Sequence, residues 1–155
     1  MNISIDIHGV IDRDPDTFRA IAHRVRKEGG EVTIISGSLP DTLLLHLVEH
    51  NIPHDRWVSV TQFLLNRGHP WEYDEHHRPS FNIDTWNQGK GTVVRELNKL
   101  GGAIDIHIDD TAIYGETFPS ETLFYYYTGD ISYEILLKRL ASRPSQRNQI
   151  LESTI

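Results

Sequence analysis

Ile3-Ser4-Ile5-Asp6-Ile7-His8-Gly9-Val10-Ile11 is the stretch that decides the fold of this chain. Isoleucines at 3, 5 and 7 alternate with Ser4, Asp6 and His8, the period of a β-strand. The alternation runs into Gly9, where backbone can turn and approach a ligand closely. In an open α/β sheet, ligands bind just outside the carboxyl ends of the strands, so Asp6 at the end of a first strand is well placed for chemistry. Taken alone, an aspartate closing a turn explains it equally well. The remaining residues decide between the two.

Downstream, strands and helices alternate. Asp14-Pro15 pairs an acidic N-cap with proline at the first helical position. Phe18, Ile21, Ala22 and Val25 form the apolar stripe of that helix, and Gly29-Gly30 ends it. Residues 31–35 predict a second strand halting at Ser36-Gly37-Ser38. Pro40 and Asp41 open a second helix with Leu43, Leu44, Leu47 and Val48 inward, and residues 56–61 predict a short third strand. A helical turn is expected over 62–66. Residues 69–79 carry charges, aromatics and prolines without sustained periodicity, and a loop this long in a compact domain is usually functional. Order returns at Gly89-Lys90-Gly91, which is expected to precede a helix with Val93, Val94, Leu97 and Leu100 as its core stripe. Residues 103–108 form a fourth strand ending in Asp109-Asp110, residues 122–128 a fifth, and residues 132–140 a closing helix. Such alternation implies right-handed crossovers and a mostly parallel sheet with helices on both faces, a three-layer Rossmann-like α/β architecture. One domain is expected over residues 1–142, followed by a polar tail, 143–155.

Composition narrows the function classes. A chain of 155 residues can bury a core without covalent staples. The absence of cysteine excludes disulfides, zinc-thiolate sites and a thiol nucleophile. A formal charge of -7 disfavours general nucleic-acid binding and leaves nucleic acid only as a phosphate-bearing substrate. No apolar run approaches the roughly 18 residues of a membrane span. The chain opens in strand pattern rather than with a basic flank and apolar core, so a cytoplasmic location is expected. The first strand-to-helix turn, HGVIDRDP, is not GxGxxG, and there is no Walker A sequence, so nicotinamide, flavin and P-loop readings are poor.

Four element ends carry polar residues in the order Asp6, Ser36, Lys90, Asp109-Asp110. Singly each has an ordinary explanation as a turn, cap or solvated residue. Together they resemble the haloacid dehalogenase (HAD) superfamily of phosphohydrolases over roughly residues 3 to 140. Asp6-Ile7-His8-Gly9-Val10 matches the first motif, DxDG(T/V). The second, a strand ending in Ser or Thr, is matched by IISGS with Ser36, the third by Lys90 at or before a helix start, and the fourth by IHIDD. The resemblance implies a Mg²⁺-dependent phosphohydrolase or phosphotransferase in which Asp6 attacks phosphorus and forms an aspartyl-phosphate. It assigns Mg²⁺ to the Asp6 carboxylate, the His8 backbone carbonyl and Asp109. Ser36, with Gly37 beside it, and Lys90 would hold the phosphoryl oxygens, Lys90 pairing also with Asp6. Asp110 would orient a bound water or Lys90 from outside the coordination sphere.

The first motif departs from the family at His8, where the phosphatases carry a second aspartate as acid and base. Imidazole can donate and accept a proton near neutrality. The replacement still implies activity that is weak or restricted to good leaving groups. A catalytically reduced HAD-like protein that binds a phosphorylated ligand or partner is the alternative.

Other features bear on the site. Ser4, Asp6 and His8 share one strand face and Asp105, His107 and Asp109 another. If those strands are neighbours, a polar seam leads to the metal, with His107 bonding Ser4 or Asp105. His69, His76 and His77 with Glu72, Asp74 and Glu75 lack a fixed zinc-ligand spacing. His46 and His50 lie one helical turn apart, which a solvated helix face explains. Residues 62–88 fall where the family inserts a cap and are expected to form a small lid with an open entrance. That would admit small phosphorylated molecules first and macromolecular phosphates as well. Trp71, Tyr73, Arg78 and Trp86 are candidates for clamping a substrate or for packing the loop down.

Overall fold

In a computed structural model that describes residues 1–143, Ile3, Ile5 and Ile7 are wholly buried and Asp6 sits at the end of a central strand. The expected tail, 143–155, lies outside the described residues except for Arg143. The strands are β1 (Ile3–Ile5), β2 (Val32–Ser36), β3 (Arg56–Ser59), β4 (Trp71–Tyr73), β5 (Pro79–Phe81), β6 (Ile106–Asp109) and β7 (Leu123–Tyr126). The helices are α1 (Pro15–Lys27), α2 (Pro40–His50), α3 (Val60–Asn66), α4 (Ile83–Lys99) and α5 (Tyr133–Ala141). Five strands form one parallel sheet in the order β3-β2-β1-β6-β7, and β4-β5 form a separate antiparallel hairpin.

Period-two alternation sorts the strand residues between two cores. Ile3, Ile5, Ile34, Ile106 and Ile108 face Phe18, Ile21 and Val25 of α1, Leu43 and Leu47 of α2 and Leu136 of α5. On the other face, Ile35 and Ile104 pack with Val60 and Leu64 of α3 and Val93 and Val94 of α4. This is the three-layer, Rossmann-like arrangement that the alternation implied. The chain winds from β1 through β2 to β3 in one direction and returns to add β6 and β7 on the other side of β1. The order therefore reverses between β1 and β6, and the crevice beyond their carboxyl ends is where such sheets bind ligands.

Several local expectations need correction. Lys90 lies in the middle of α4, not at a helix start, because Asn82 caps the helix well upstream, its side chain accepting from the Asp84 amide at 2.9 Å. Gly89 and Gly91 do not break the helix; they let it come close to its neighbours. A Cβ on Gly89 would lie 2.8 Å from Val60 Cγ1, and one on Gly91 would lie 2.6 Å from the Thr117 carbonyl oxygen. The loop expected over 69–79 contains the β4-β5 hairpin, whose three-residue strands are too short to show a period. Its turn is held by the Asp74 carboxylate, which accepts the His76 and Arg78 amides at 2.8 and 2.9 Å. In α2 only Leu43 and Leu47, one turn apart, reach the sheet, and Leu44 and Val48 are 39% and 79% exposed. Leu100 likewise points to solvent. Among the described residues no helix is long and apolar enough to cross a membrane.

Ile5 is flanked by β2 and β6 and has no solvent path, so Ile5→Ala leaves a cavity that cannot fill. A loss of about 2–5 kcal/mol is expected, read as a lower urea midpoint at unchanged slope.

Candidate functional site

β1 ends at Ile5, but the Asp6 amide still donates to the Ile108 carbonyl at 3.1 Å, which fixes the aspartate against β6. The chain then turns through Gly9 at a φ of +76°, a left-handed conformation that favours glycine. A Cβ on Gly9 would lie 1.9 Å from Asp110 Oδ2, so glycine is also what leaves room for that carboxylate. Asp12 holds the turn, accepting the Gly9 amide at 2.7 Å.

Lys90 reaches this crevice from α4, and its Nζ lies 3.1 Å from Asp6 Oδ1 and 2.6 Å from Asp109 Oδ2. All three groups are buried. The Tyr114 ring lies 5.1 Å from the ammonium, and the Tyr114 hydroxyl accepts from Trp86 Nε1 at 3.0 Å. Behind the ammonium runs the polar seam. Ser4 and His107 are register partners on β1 and β6, with Ser4 Oγ 2.7 Å from His107 Nδ1 and His107 Nε2 2.9 Å from Asp109 Oδ2. Since a carboxylate only accepts, Nε2 carries the ring proton and Ser4 donates to Nδ1. Asp105 instead accepts the Asn2 amide.

The two buried carboxylates are unequal. Burial raises both, but at Asp109 the His107 hydrogen bond and the Lys90 charge outweigh it and hold the group well below the usual carboxylate range. Burial pushes Asp6 up to about 7, against the pull of Lys90 and with the added repulsion of Asp109. Lys90 is raised: burial lowers it, but the two carboxylates overcome that. His107 is lowered by burial, consistent with a neutral ring.

Asp6, Asp109 and Asp110 each offer an oxygen within 4.8 Å of the others. Three carboxylates against one ammonium, in an all-oxygen donor set, fit a hard divalent cation. The other expected site residues are spread around this centre. Ser36 is buried at the end of β2, where its Oγ accepts the Ser38 amide at 3.2 Å. Gly37 lies under Trp86, whose ring a Cβ would meet at 2.8 Å. The side chain of His8 is half-exposed, with Nε2 2.8 Å from Ser38 Oγ and Nδ1 3.5 Å from Asp12. Thr61 and Ser59 donate to the carbonyls of Gly37 and Ser38, each at 2.6 Å, fixing that loop.

Beside His8 and Gly37 opens a cavity of about 480 Å³, bounded by Ser38 and Leu39 and by Arg78, Phe81 and Trp86 of the hairpin and α4. Phe81 and Trp86 stack with planes 6° apart. Tyr114, which touches both Lys90 and Trp86, is a site residue that the sequence reading passed over. Its only signal is an aromatic shortly after the acidic pair, and nothing local ties it to Lys90.

Comparison with protein-family models, curated proteins and solved structures found no match. The class thus rests on the fold and site themselves: a Rossmann-like α/β chain whose sheet carries, at its switch point, a buried acidic and histidine cluster able to hold a divalent metal or act in catalysis.

The Asp6 shift has a measurable sign. A carboxyl raised in the folded state favours folding below its unfolded value of 3.8 and loses that contribution as pH rises to about 7. Without divalent cations, wild type is expected to lose stability relative to Asp6→Asn across that window. Urea unfolding of both proteins at several pH values checks this.

Proposed function

We propose that the chain is a Mg²⁺-dependent phosphohydrolase or phosphotransferase of HAD type acting through Asp6. The observation that carries this reading is the buried Lys90 ammonium shared between Asp6 and Asp109 at the strand switch point. Phosphoryl transfer needs a nucleophile, positive charge for the equatorial oxygens, and alignment. A bound cation would neutralise the phosphoryl oxygens and hold Asp6 in its ionised form. An Asp6 oxygen attacks phosphorus, the bond to the leaving oxygen breaks, and that oxygen takes up a proton. Water then attacks the aspartyl-phosphate, releasing inorganic phosphate and restoring Asp6; an acceptor alcohol in place of water gives transfer. Lys90 holds a phosphoryl oxygen together with Ser36 and the backbone around Gly37.

The motif match gives metal ligation to Asp109 and an orienting part to Asp110. The contacts support the reverse division. Asp109 Oδ2 is taken by Lys90 and His107, and Oδ1 accepts the Thr111 amide at 3.2 Å. Asp110 lies over Gly9 with a partly open carboxylate. In this assignment Asp6, Asp110 and the His8 carbonyl hold the cation, and Asp109 positions Lys90.

Within residues 62–88, the expected lid of the domain 1–142, the β4-β5 hairpin is the part that covers the site, while residues 62–66 belong to α3. The cavity under the hairpin supports a small phosphomonoester with a planar or apolar group against Phe81 and Trp86, ahead of macromolecular phosphates.

A panel of aryl, acyl and alkyl phosphates with and without Mg²⁺ tests the reading. Turnover is expected only with the cation, and Asp6→Asn is expected to lower it at least about a thousandfold. Mg²⁺-independent turnover, or full activity in Asp6→Asn, overturns it. Ligand binding without turnover instead supports the reduced, phosphate-binding alternative. His8→Asp restores a carboxylic acid two residues from the nucleophile and is expected to raise kcat on alkyl phosphates about tenfold or more, with aryl phosphates changed little.

A further inference from the structure

His46, Glu49 and His50 occupy positions i, i+3 and i+4 of α2, a spacing that puts three side chains on one helix face. On sequence alone a solvated surface explains them. The structure gives His46 a different setting. Its side chain is only 25% exposed, and Nδ1 is the one buried side-chain polar atom among the described residues with no hydrogen-bond partner. A buried polar atom left unpaired is costly, and a bound ion is one of the ordinary partners for it.

The three side chains converge. His46 Nδ1 lies 3.6 Å from Glu49 Oε2, too far for a hydrogen bond. Two ligands on a tetrahedral zinc with bonds of about 2.1 Å are themselves separated by about 3.4 Å. The rings of His46 and His50 are stacked, 6.1 Å apart with planes within 5°. One ligand atom from each of the three residues lies within 4.8 Å of the other two. The group is at the C-terminal end of α2, the negative end of the helix dipole. Arg19, the other positive group there, is committed to the His50 and Asn51 carbonyls and to Asp16.

We propose that His46, Glu49 and His50 form a second metal site, for a divalent transition ion of the zinc class. Two imidazoles and a carboxylate suit such an ion, whereas the all-oxygen group around Asp6 suits a hard one. Three protein ligands leave a coordination position open to solvent or ligand. The His46 ring stands edge-on to His8, with centroids 5.0 Å apart, so the ion borders the cavity mouth and His8 senses its arrival. This assignment does not depend on Asp6 reacting with phosphate.

The test is zinc titration of the full chain in saturating Mg²⁺, by calorimetry and by competition with a chromophoric chelator. Wild type is expected to bind one equivalent, and His46→Gln, His50→Gln and Glu49→Gln each to weaken it at least about tenfold. Asp6→Asn is expected to bind as wild type does. The His8 imidazole resonances should shift on zinc addition in wild type and stay still in His50→Gln. Thermal melts without zinc establish that each variant folds, and His50→Gln and the exposed Glu49→Gln keep the test open if His46→Gln does not. Wild-type affinity retained in His50→Gln and Glu49→Gln overturns the proposal, as does zinc uptake that disappears with Asp6→Asn or a wild type that takes up none.

Discussion

One ammonium shared unequally between two buried carboxylates is the constraint on which the rest of this structure depends. Lys90 is closer to Asp109, which also receives His107 and the Thr111 amide, so the negative charge of Asp109 is well compensated. Asp6 keeps the longer contact and carries the residual electrostatic cost. A buried ion pair of this kind is a poor source of stability, because desolvating the charges offsets most of their attraction. The fold tolerates it by satisfying its polar atoms across the sheet and by backing it with the isoleucines on the opposite face of β1 and β6. Two carboxylates driven in opposite directions by their surroundings are what acid-base and nucleophilic sites are built from.

The seam from Ser4 through His107 to Asp109 shows how far that arrangement reaches. Parallel interior strands ordinarily read apolar on both faces. Here β1 and β6 are apolar toward α1 and α5 and polar toward α4, and the polar residues pair across the register instead of being left unsatisfied. His107 packs with tilted planes against Phe118 and Phe124, at ring-centroid distances of 4.9 and 5.7 Å, and is wholly buried, which keeps water from the seam. Its neutral ring and single proton on Nε2 fix the orientation of Asp109, and through it the position of the Lys90 ammonium.

Much of this was legible in the sequence. Isoleucine at every second position, Asp14-Pro15 and the stripe Phe18, Ile21, Ala22 and Val25 each had one physical reading, and the structure agrees with it. The polar seam followed from alternation alone once β1 and β6 were neighbours. What resisted were features set by tertiary contact. Gly89 and Gly91 read as preceding the helix, not lying within it, because their packing against Val60 and Thr117 is invisible locally. The hairpin was hidden because three residues cannot display a period, and Tyr114 because its contacts are distant in sequence. The unpaired Nδ1 of His46 depends on neighbours that no helical wheel contains.

The course of α4 has one more consequence. Trp86, which forms part of the cavity wall, and Lys90 are separated by a single helical turn of the same rod, about 6 Å along its axis. The helix backbone fixes the spacing of the two residues, so indole and ammonium are presented from one rod. Tyr114 bridges the two from outside, its hydroxyl on the indole and its ring against the ammonium. The wall that would gauge the size of an incoming molecule and the charge that would grip its anionic end are therefore one mechanical part.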